Sequence, residues 1–112
     1  MERRKSRRFS IVNLDLYDGS SEELVGSVIN ISQGGLLTIT EKSYQTDKDY
    51  SFYIPFNQTI NGMVKFEFLA RVVWCRPNAL KSGMMSIGLE FSDNPKIQTM
   101  FIEQMVKIYG SS

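Results

Sequence analysis

Apolar and polar residues alternate with a period of two along most of the chain, and this pattern predicts β-strands. Six stretches show it, and clusters of Gly, Asn, Asp and Ser separate them; the stretches cover residues 9–17, 23–31, 36–40, 50–56, 64–75 and 84–91. The turn cluster at residues 18–21 would join the first two strands as a hairpin. No internal repeat is visible, so the strands are expected to form one domain.

The longest alternation falls on the fifth predicted strand, residues 64–75. One face carries most of the bulky apolar side chains, which the pattern assigns to the core: Val64, Phe66, Phe68, Ala70, Val72 and Trp74. Arg71 and Cys75 fall on the opposite face. In the sixth strand Gly88 lies opposite the apolar face, where a missing side chain often marks a bulge or a close approach.

The hydrophobic period changes near the C-terminus. Asn94 suits an N-cap and Pro95 the first helical position, and apolar residues then recur at helical spacing: Ile97, Phe101, Met105 and Ile108. The pattern predicts an amphipathic helix over about residues 95–109. An all-β fold with one helix follows, and a closed antiparallel barrel is favoured because closure removes exposed strand edges, while the helix covers an opening or plugs an end.

Composition narrows the function. The 112 residues have 42% hydrophobic and 22% charged content, which is typical of one globular domain. Histidine is absent and Cys75 is the single cysteine, so Ser-His, Cys-His and zinc sites cannot be assembled. No acidic pair stands out by its spacing. We therefore expect a binding module that is not an enzyme and that uses no metal or cofactor.

No apolar run is long enough to cross a bilayer, and no signal-peptide core follows the charged N-terminus. The expectation is a cytoplasmic protein without direct membrane insertion. Positive charge is concentrated at the start of the chain, because residues 1–8 carry five Lys and Arg against Glu2, or 5 − 1 = +4. The remaining body is 8 − 11 = −3. This asymmetry suggests that a flexible basic arm, residues 1–8, meets an anionic ligand or surface.

Two short motifs carry the candidate chemistry. The arm contains Arg-Arg-x-x-x-Arg, and the second motif, Asn-x-Ser-x-x-Gly, follows the second predicted strand. Taken alone, the first is typical of a solvated tail and the second of a tight turn. Together, in this order and with a later Val-Val-Trp strand, they resemble the PilZ domain family; the matching residues are Arg3, Arg4, Arg8, Asn30, Ser32 and Gly35.

The resemblance implies a six-stranded antiparallel PilZ-type β-barrel, residues 9–112, with a C-terminal α-helix. It also implies a ligand, the second messenger cyclic di-GMP, and a bacterial receptor or adaptor that relays the signal to a separate effector protein. By similarity, the arm arginines engage guanine and phosphate, and Asn30 and Ser32 offer polar groups while Gly35 permits the turn. Arg71 and Trp74 are possible accessory contacts. Guanidinium suits this role because it can pair with phosphate, reach a guanine edge and stack on a base.

Two alternatives remain open. A PilZ-like adaptor could act through protein contacts without a nucleotide, although its intact motifs argue against this. A nucleic-acid-binding barrel could use the basic arm, but the negative body lacks the basic face that such proteins usually show. Nucleic acid is therefore not the expected partner.

Overall fold

The computed structural model describes residues 9–11, 14–32, 34–60, 62–92, 102–108 and 110–111. Its strands are β1 (Phe9–Ile11), β2 (Asp15–Asp18), β3 (Leu24–Ile31), β4 (Gly35–Thr40), β5 (Lys48–Ile60), β6 (Met63–Pro77), β7 (Met85–Phe91) and β8 (Gly110–Ser111). Residues 102–108 form the helix α1. The predicted basic arm lies outside the described residues, as does the proposed start of the helix at Asn94 and Pro95.

Six of the strands form a closed antiparallel ring in the order β2, β5, β6, β7, β4 and β3, and pairing between β2 and β3 closes it. Strands β1 and β8 extend the sheet beyond β3. The predicted six-stranded barrel is therefore confirmed. Closure follows from the alternating sequence, because every ring strand can turn its apolar face inward and hydrogen-bond on both sides.

The first predicted strand is divided into β1 and β2, both of which pair with β3. Ser10 lies opposite Asn30 and Asp15 opposite Ser27, so 15 − 10 = 5 steps along the first segment match 30 − 27 = 3 steps along β3. The surplus residues interrupt the regular ladder. Leu14 lies within this interruption, is 3% exposed, and its carbonyl accepts a hydrogen bond from the Val28 N–H at 3.0 Å.

The β5–β6 hairpin is longer than the alternation predicts. The sequence places a turn at residues 57–62, whereas β5 continues to Ile60 and β6 begins at Met63. Regular pairing nevertheless stops at Pro55, which lies opposite Lys65, and resumes only where Ile60 meets Met63. Proline has no N–H to donate to the ladder, which explains why the regular part of the strand ends there.

Aromatic side chains fill the centre of the barrel. Phe66 and Phe68 stack with their ring centroids 4.9 Å apart, and Phe68 also meets Phe52 at 5.9 Å and the edge of Phe91 at 5.2 Å. The predicted inward positions Phe66, Phe68, Ala70 and Val72 are all buried. Val64, assigned by the alternation to the same face, is 66% exposed because it lies near the β5–β6 turn, where pairing is irregular.

Helix α1 joins this core through Ile102 and Met105, which are 3% and 0% exposed. Met105 belongs to the predicted apolar stripe, and Ile108 of the same stripe is half-buried against the core. Strand β8 was not predicted from the sequence; it follows the helix and pairs with β1. Within the described ranges no helix combines the length and apolarity needed to cross a membrane.

Candidate functional site

The Asn-x-Ser-x-x-Gly motif forms the hairpin between β3 and β4. The Ser32 N–H donates to the Gly35 carbonyl at 2.8 Å, and the Ser32 hydroxyl oxygen accepts from the Gly34 N–H at 3.3 Å. Ser32 is 5% exposed, so its side chain supports the turn from inside. Its expected contact with a ligand stays a prediction.

Gly35 lies against the backbone of β7. A Cβ atom at this position would overlap the Leu89 carbonyl oxygen, and the carbonyl of Gly34 accepts from the Phe91 N–H at 2.9 Å. Only glycine fits without displacing the neighbouring strand. The motif's glycine therefore fixes how closely the hairpin approaches β7.

Asn30 belongs to a row of residues that crosses four neighbouring strands in register. It lies opposite Leu37 of β4, Leu37 lies opposite Gly88 of β7, and Gly88 lies opposite Trp74 of β6. Three strand spacings make this row about 14 Å long. The structure thus brings Asn30 of the second motif and the predicted accessory Trp74 to one surface.

A groove of about 320 Å³ lies along this row. Its lining comes from β3, β4, β6 and β7, and comprises Asn30, Leu36, Leu37, Val73, Trp74, Arg76, Gly88 and Leu89. The lining contains one cation and no carboxylate. It is therefore a concave surface that combines apolar area, an amide and a positive charge.

A β-bulge in β6 places Trp74 at this groove. Val72 lies opposite Leu89 and Trp74 opposite Gly88, so two steps on β6 match one on β7. An extra residue reverses the faces that follow it. Trp74 is consequently half-buried in the groove, and the expectation that it belongs to the core is wrong; Cys75, expected on the other face, packs against the core instead.

The indole of Trp74 lies directly over Gly88. A Cβ atom at Gly88 would overlap the indole Nε1 and Cε2 atoms, which confirms the close approach expected at this glycine. The Arg76 guanidinium carbon lies 5.1 Å from the centroid of the Trp74 ring, within the range of a cation–π contact. The two side chains thus lie together at the β6 side of the groove.

Arg71, the other predicted accessory residue, lies outside the groove. Its Nε atom is 3.2 Å from the Asp49 Oδ1 atom, and both side chains are about half exposed. Arg76 has no ion pair with an acidic residue in the described ranges. Sequence reasoning chose Arg71 and missed Arg76, although Arg76 follows Trp74 by two residues and so shares its face in a regular strand.

The chain that follows the basic arm enters the sheet beside Asn30. Phe9 lies opposite Ile31 and Ser10 opposite Asn30, so β1 begins at the groove's β3 side. The arm residues Arg3, Arg4 and Arg8 lie outside the described residues. Since Arg8 directly precedes Phe9 in the sequence, a short segment connects it to the edge of this site.

Comparison with known families matches residues 2–107 to the PilZ domain. No protein of curated function matches the chain significantly. The match covers both motifs, all ring strands and all but the last residue of α1.

Solved structures of 13–21% identity share the fold. The PilZ domain with c-di-GMP of YcgR from Escherichia coli has a TM-score of 0.70 at 13% identity, over 95% of this chain and 93% of that chain. The Bacillus subtilis inhibitor of motility, MotI/DgrA, has a TM-score of 0.72 at 21% identity, over 96% and 51%. YcgR from Escherichia coli in complex with c-di-GMP has a TM-score of 0.66 at 14% identity, over 96% and 45%. The chain thus corresponds to about half of the last two proteins.

Proposed function

Because the chain belongs to the PilZ domain family, we propose that it is a receptor for cyclic di-GMP, which it binds without transforming. The observation that carries this proposal is the in-register row of Asn30, Leu37, Gly88 and Trp74, along which the groove lies. Two of the similar structures are described as holding c-di-GMP, which supports the choice of ligand.

The groove offers a complementary group for each part of this ligand. Cyclic di-GMP has two guanines and two phosphates. The Arg76 guanidinium, which lies over the Trp74 ring, can stack on a guanine, pair with a phosphate or reach the O6 and N7 atoms of guanine. The Asn30 amide can both donate and accept hydrogen bonds at the other end of the row.

The basic arm supplies the remaining charge in this proposal. Arg4 and Arg8 contact guanine and phosphate, Arg3 adds a phosphate contact, and Ser32 and Gly35 hold the hairpin against which the ligand lies. Ordering the arm costs on the order of 1–2 kcal/mol of backbone entropy per residue, which offsets part of the contact energy. We therefore expect moderate affinity that falls as salt is added.

Titration calorimetry of the full chain with cyclic di-GMP tests the proposal. Arg4→Ala and Arg8→Ala should each weaken binding by about ten- to a hundredfold, because each loses a bidentate contact worth roughly 1–3 kcal/mol. Arg7→Ala is the matched control, since it removes the same charge next to Arg8 at a variable position of the motif. Its effect should be about threefold or less.

The parent chain releasing no heat and showing no amide shifts with cyclic di-GMP would contradict the receptor proposal and favour an adaptor without nucleotide. Equal binding by the parent and by both variants would contradict the role of the arm. We also propose that the output is a contact with a separate effector protein in the cytoplasm. Pull-down with and without cyclic di-GMP, using Arg8→Ala bait as the control, tests this relay because only ligand-dependent capture supports it.

A further inference from the structure

A second surface, apart from the proposed ligand groove, combines an exposed apolar side chain with an apolar hollow. The exposed side chain is Leu80, which is 94% exposed in the loop between β6 and β7. The hollow, of about 240 Å³, is bordered by Lys81 and Met84 of the same loop and by residues of β3 and β4. We call the two together the Leu80 face.

The loop that carries Leu80 is well organised. The Asn78 side-chain oxygen accepts from the N–H groups of Leu80 at 2.9 Å and Lys81 at 2.8 Å, and the Asn78 side-chain nitrogen donates to the Ser86 hydroxyl at 2.8 Å. The Asn78 N–H also donates to the Met84 carbonyl at 2.9 Å. Leu80 is thus presented on a fixed backbone, which lowers the entropy cost of using it as an anchor in an interface.

The hollow can receive an apolar side chain of this size. Its walls include Ile39 and Met84, together with Leu24 and Ile29, which are 51% and 36% exposed. An isolated exposed leucine needs no explanation, but one beside an apolar hollow that no described residue fills forms a larger apolar area that water covers poorly. Burial of each leucine would remove apolar surface from water.

The charges at the rim favour a second copy of this chain as the occupant. Lys42 is already paired with Glu23 at 2.6 Å. Glu41 and Lys81 form no ion pair within the described ranges, and they give the rim one negative and one positive group. A two-fold contact requires one patch to match itself, and a surface that carries both a projection and a hollow, and both signs of charge, has the features for this.

We propose that two copies of this chain associate through the Leu80 face about a two-fold axis. Leu80 of each copy enters the hollow of the other, and Lys81 of each copy approaches Glu41 of the other. The contact area is small, so the association is weak, with a dissociation constant in the micromolar range or above. This association does not depend on cyclic di-GMP, so its test is independent of the test of the proposed function.

Sedimentation analysis of the full chain without ligand, from micromolar to millimolar concentration, measures the association. Leu80→Ser should weaken it by at least about tenfold, because each dimer loses two buried leucines. Val64→Ser is the matched control; Val64 is 66% exposed on β6 and does not line the hollow, so the constant should stay within about twofold. Circular dichroism checks that both variants remain folded.

Charge reversal distinguishes a second copy from any other occupant. Lys81→Glu alone and Glu41→Lys alone each place like charges opposite one another twice in the dimer, so each variant should sediment as a monomer. A mixture of the two variants should form a one-to-one dimer, because both contacts are then between opposite charges. A parent chain that stays monomeric throughout, a Leu80→Ser chain that associates like the parent, or a mixture that stays monomeric would each overturn the proposal.

Discussion

The two halves of β6 on either side of its bulge use arginine in different ways. Before the bulge, Arg71 forms an ion pair with Asp49, so its positive charge is already balanced. After the bulge, Arg76 lies over the Trp74 ring at the groove, whose described lining residues include no carboxylate. The residues are five positions apart on one strand. The difference shows that backbone register, more than residue type, decides which arginine is available for a ligand.

The test with the largest expected effect replaces Gly88, the glycine under the Trp74 indole. Gly88→Val puts a branched side chain where the Trp74 ring lies, so the ring and the Arg76 contact must both move. We expect about 2–3 kcal/mol of lost stability in urea unfolding. Cyclic di-GMP affinity should fall as well, because both contacts are removed from the groove.

The Gly88→Val/Trp74→Ala double variant is the control for this prediction. Removing the indole makes room for valine, so most of the lost stability should return while ligand binding should not. If the double variant is no more stable than Gly88→Val, the overlap with the indole is not the cause of the destabilisation.

A smaller effect is expected from the two arginines themselves. Arg76→Ala should weaken cyclic di-GMP binding by about tenfold, since it removes the one cation that the described residues contribute to the lining of the groove. Arg71→Ala, on the same strand but outside the groove, should change the affinity by about twofold or less. Calorimetry on the pair measures the contrast directly. Equal losses in both variants would show that general positive charge matters and the bulge does not.

The smallest effect concerns Tyr44, which packs beside Tyr50 and Phe52 away from the groove. No described residue hydrogen-bonds its buried hydroxyl, and burial, followed by the nearby Asp18 carboxylate, raises the pKa of Tyr44 to about 12. Tyr44→Phe should stabilise the fold by about 1 kcal/mol, because an unsatisfied polar group is removed. Its affinity for cyclic di-GMP should match that of the parent.

The raised pKa of Tyr44 predicts that the difference in stability between the parent and Tyr44→Phe depends on pH. The folded state favours the neutral phenol, so the pKa of Tyr44 is higher in the folded than in the unfolded chain. The stability that depends on this neutral form is fully present below the unfolded pKa of 10 and is lost as pH rises toward the folded pKa of about 12. The parent should therefore lose stability in this window more steeply than Tyr44→Phe. If the free energies of unfolding of the two proteins change in parallel from pH 9 to 12, this contradicts the burial of the hydroxyl.

The alternation predicted the ring strands because each has one buried face, and a period of two records that directly. Phe66, Phe68, Ala70 and Val72 were assigned to the core and are buried there. Trp74 continues the same period but leaves the core, because a bulge depends on pairing with a neighbouring strand and not on the residues of one strand. The division of the first strand and the pairing of β8 with β1 depend on distant partners in the same way.

The candidate site was predictable only in part for the same reason. Asn30, Ser32 and Gly35 form a local motif that can be read along the chain, and the structure gives its serine and glycine clear roles in the hairpin. Arg76 shares the face of Trp74 at a spacing of two, but the alternation assigned that face to the core, and only the bulge in β6 turns it to the groove. The three arm arginines lie outside the described residues, so their part in the site stays a prediction.

The row from Asn30 to Trp74 also links ligand binding to the order in which the protein folds. Its members lie at positions 30, 37, 74 and 88, and they become neighbours only when β3, β4, β7 and β6 have all paired. No single hairpin of the barrel contains the whole row, so a partly folded chain does not assemble it. A ligand of this row would bind the native state alone and would stabilise it by about 2.7 kcal/mol at a hundred times its dissociation constant. Newly made chains would thus be held in their completed form wherever the messenger is abundant.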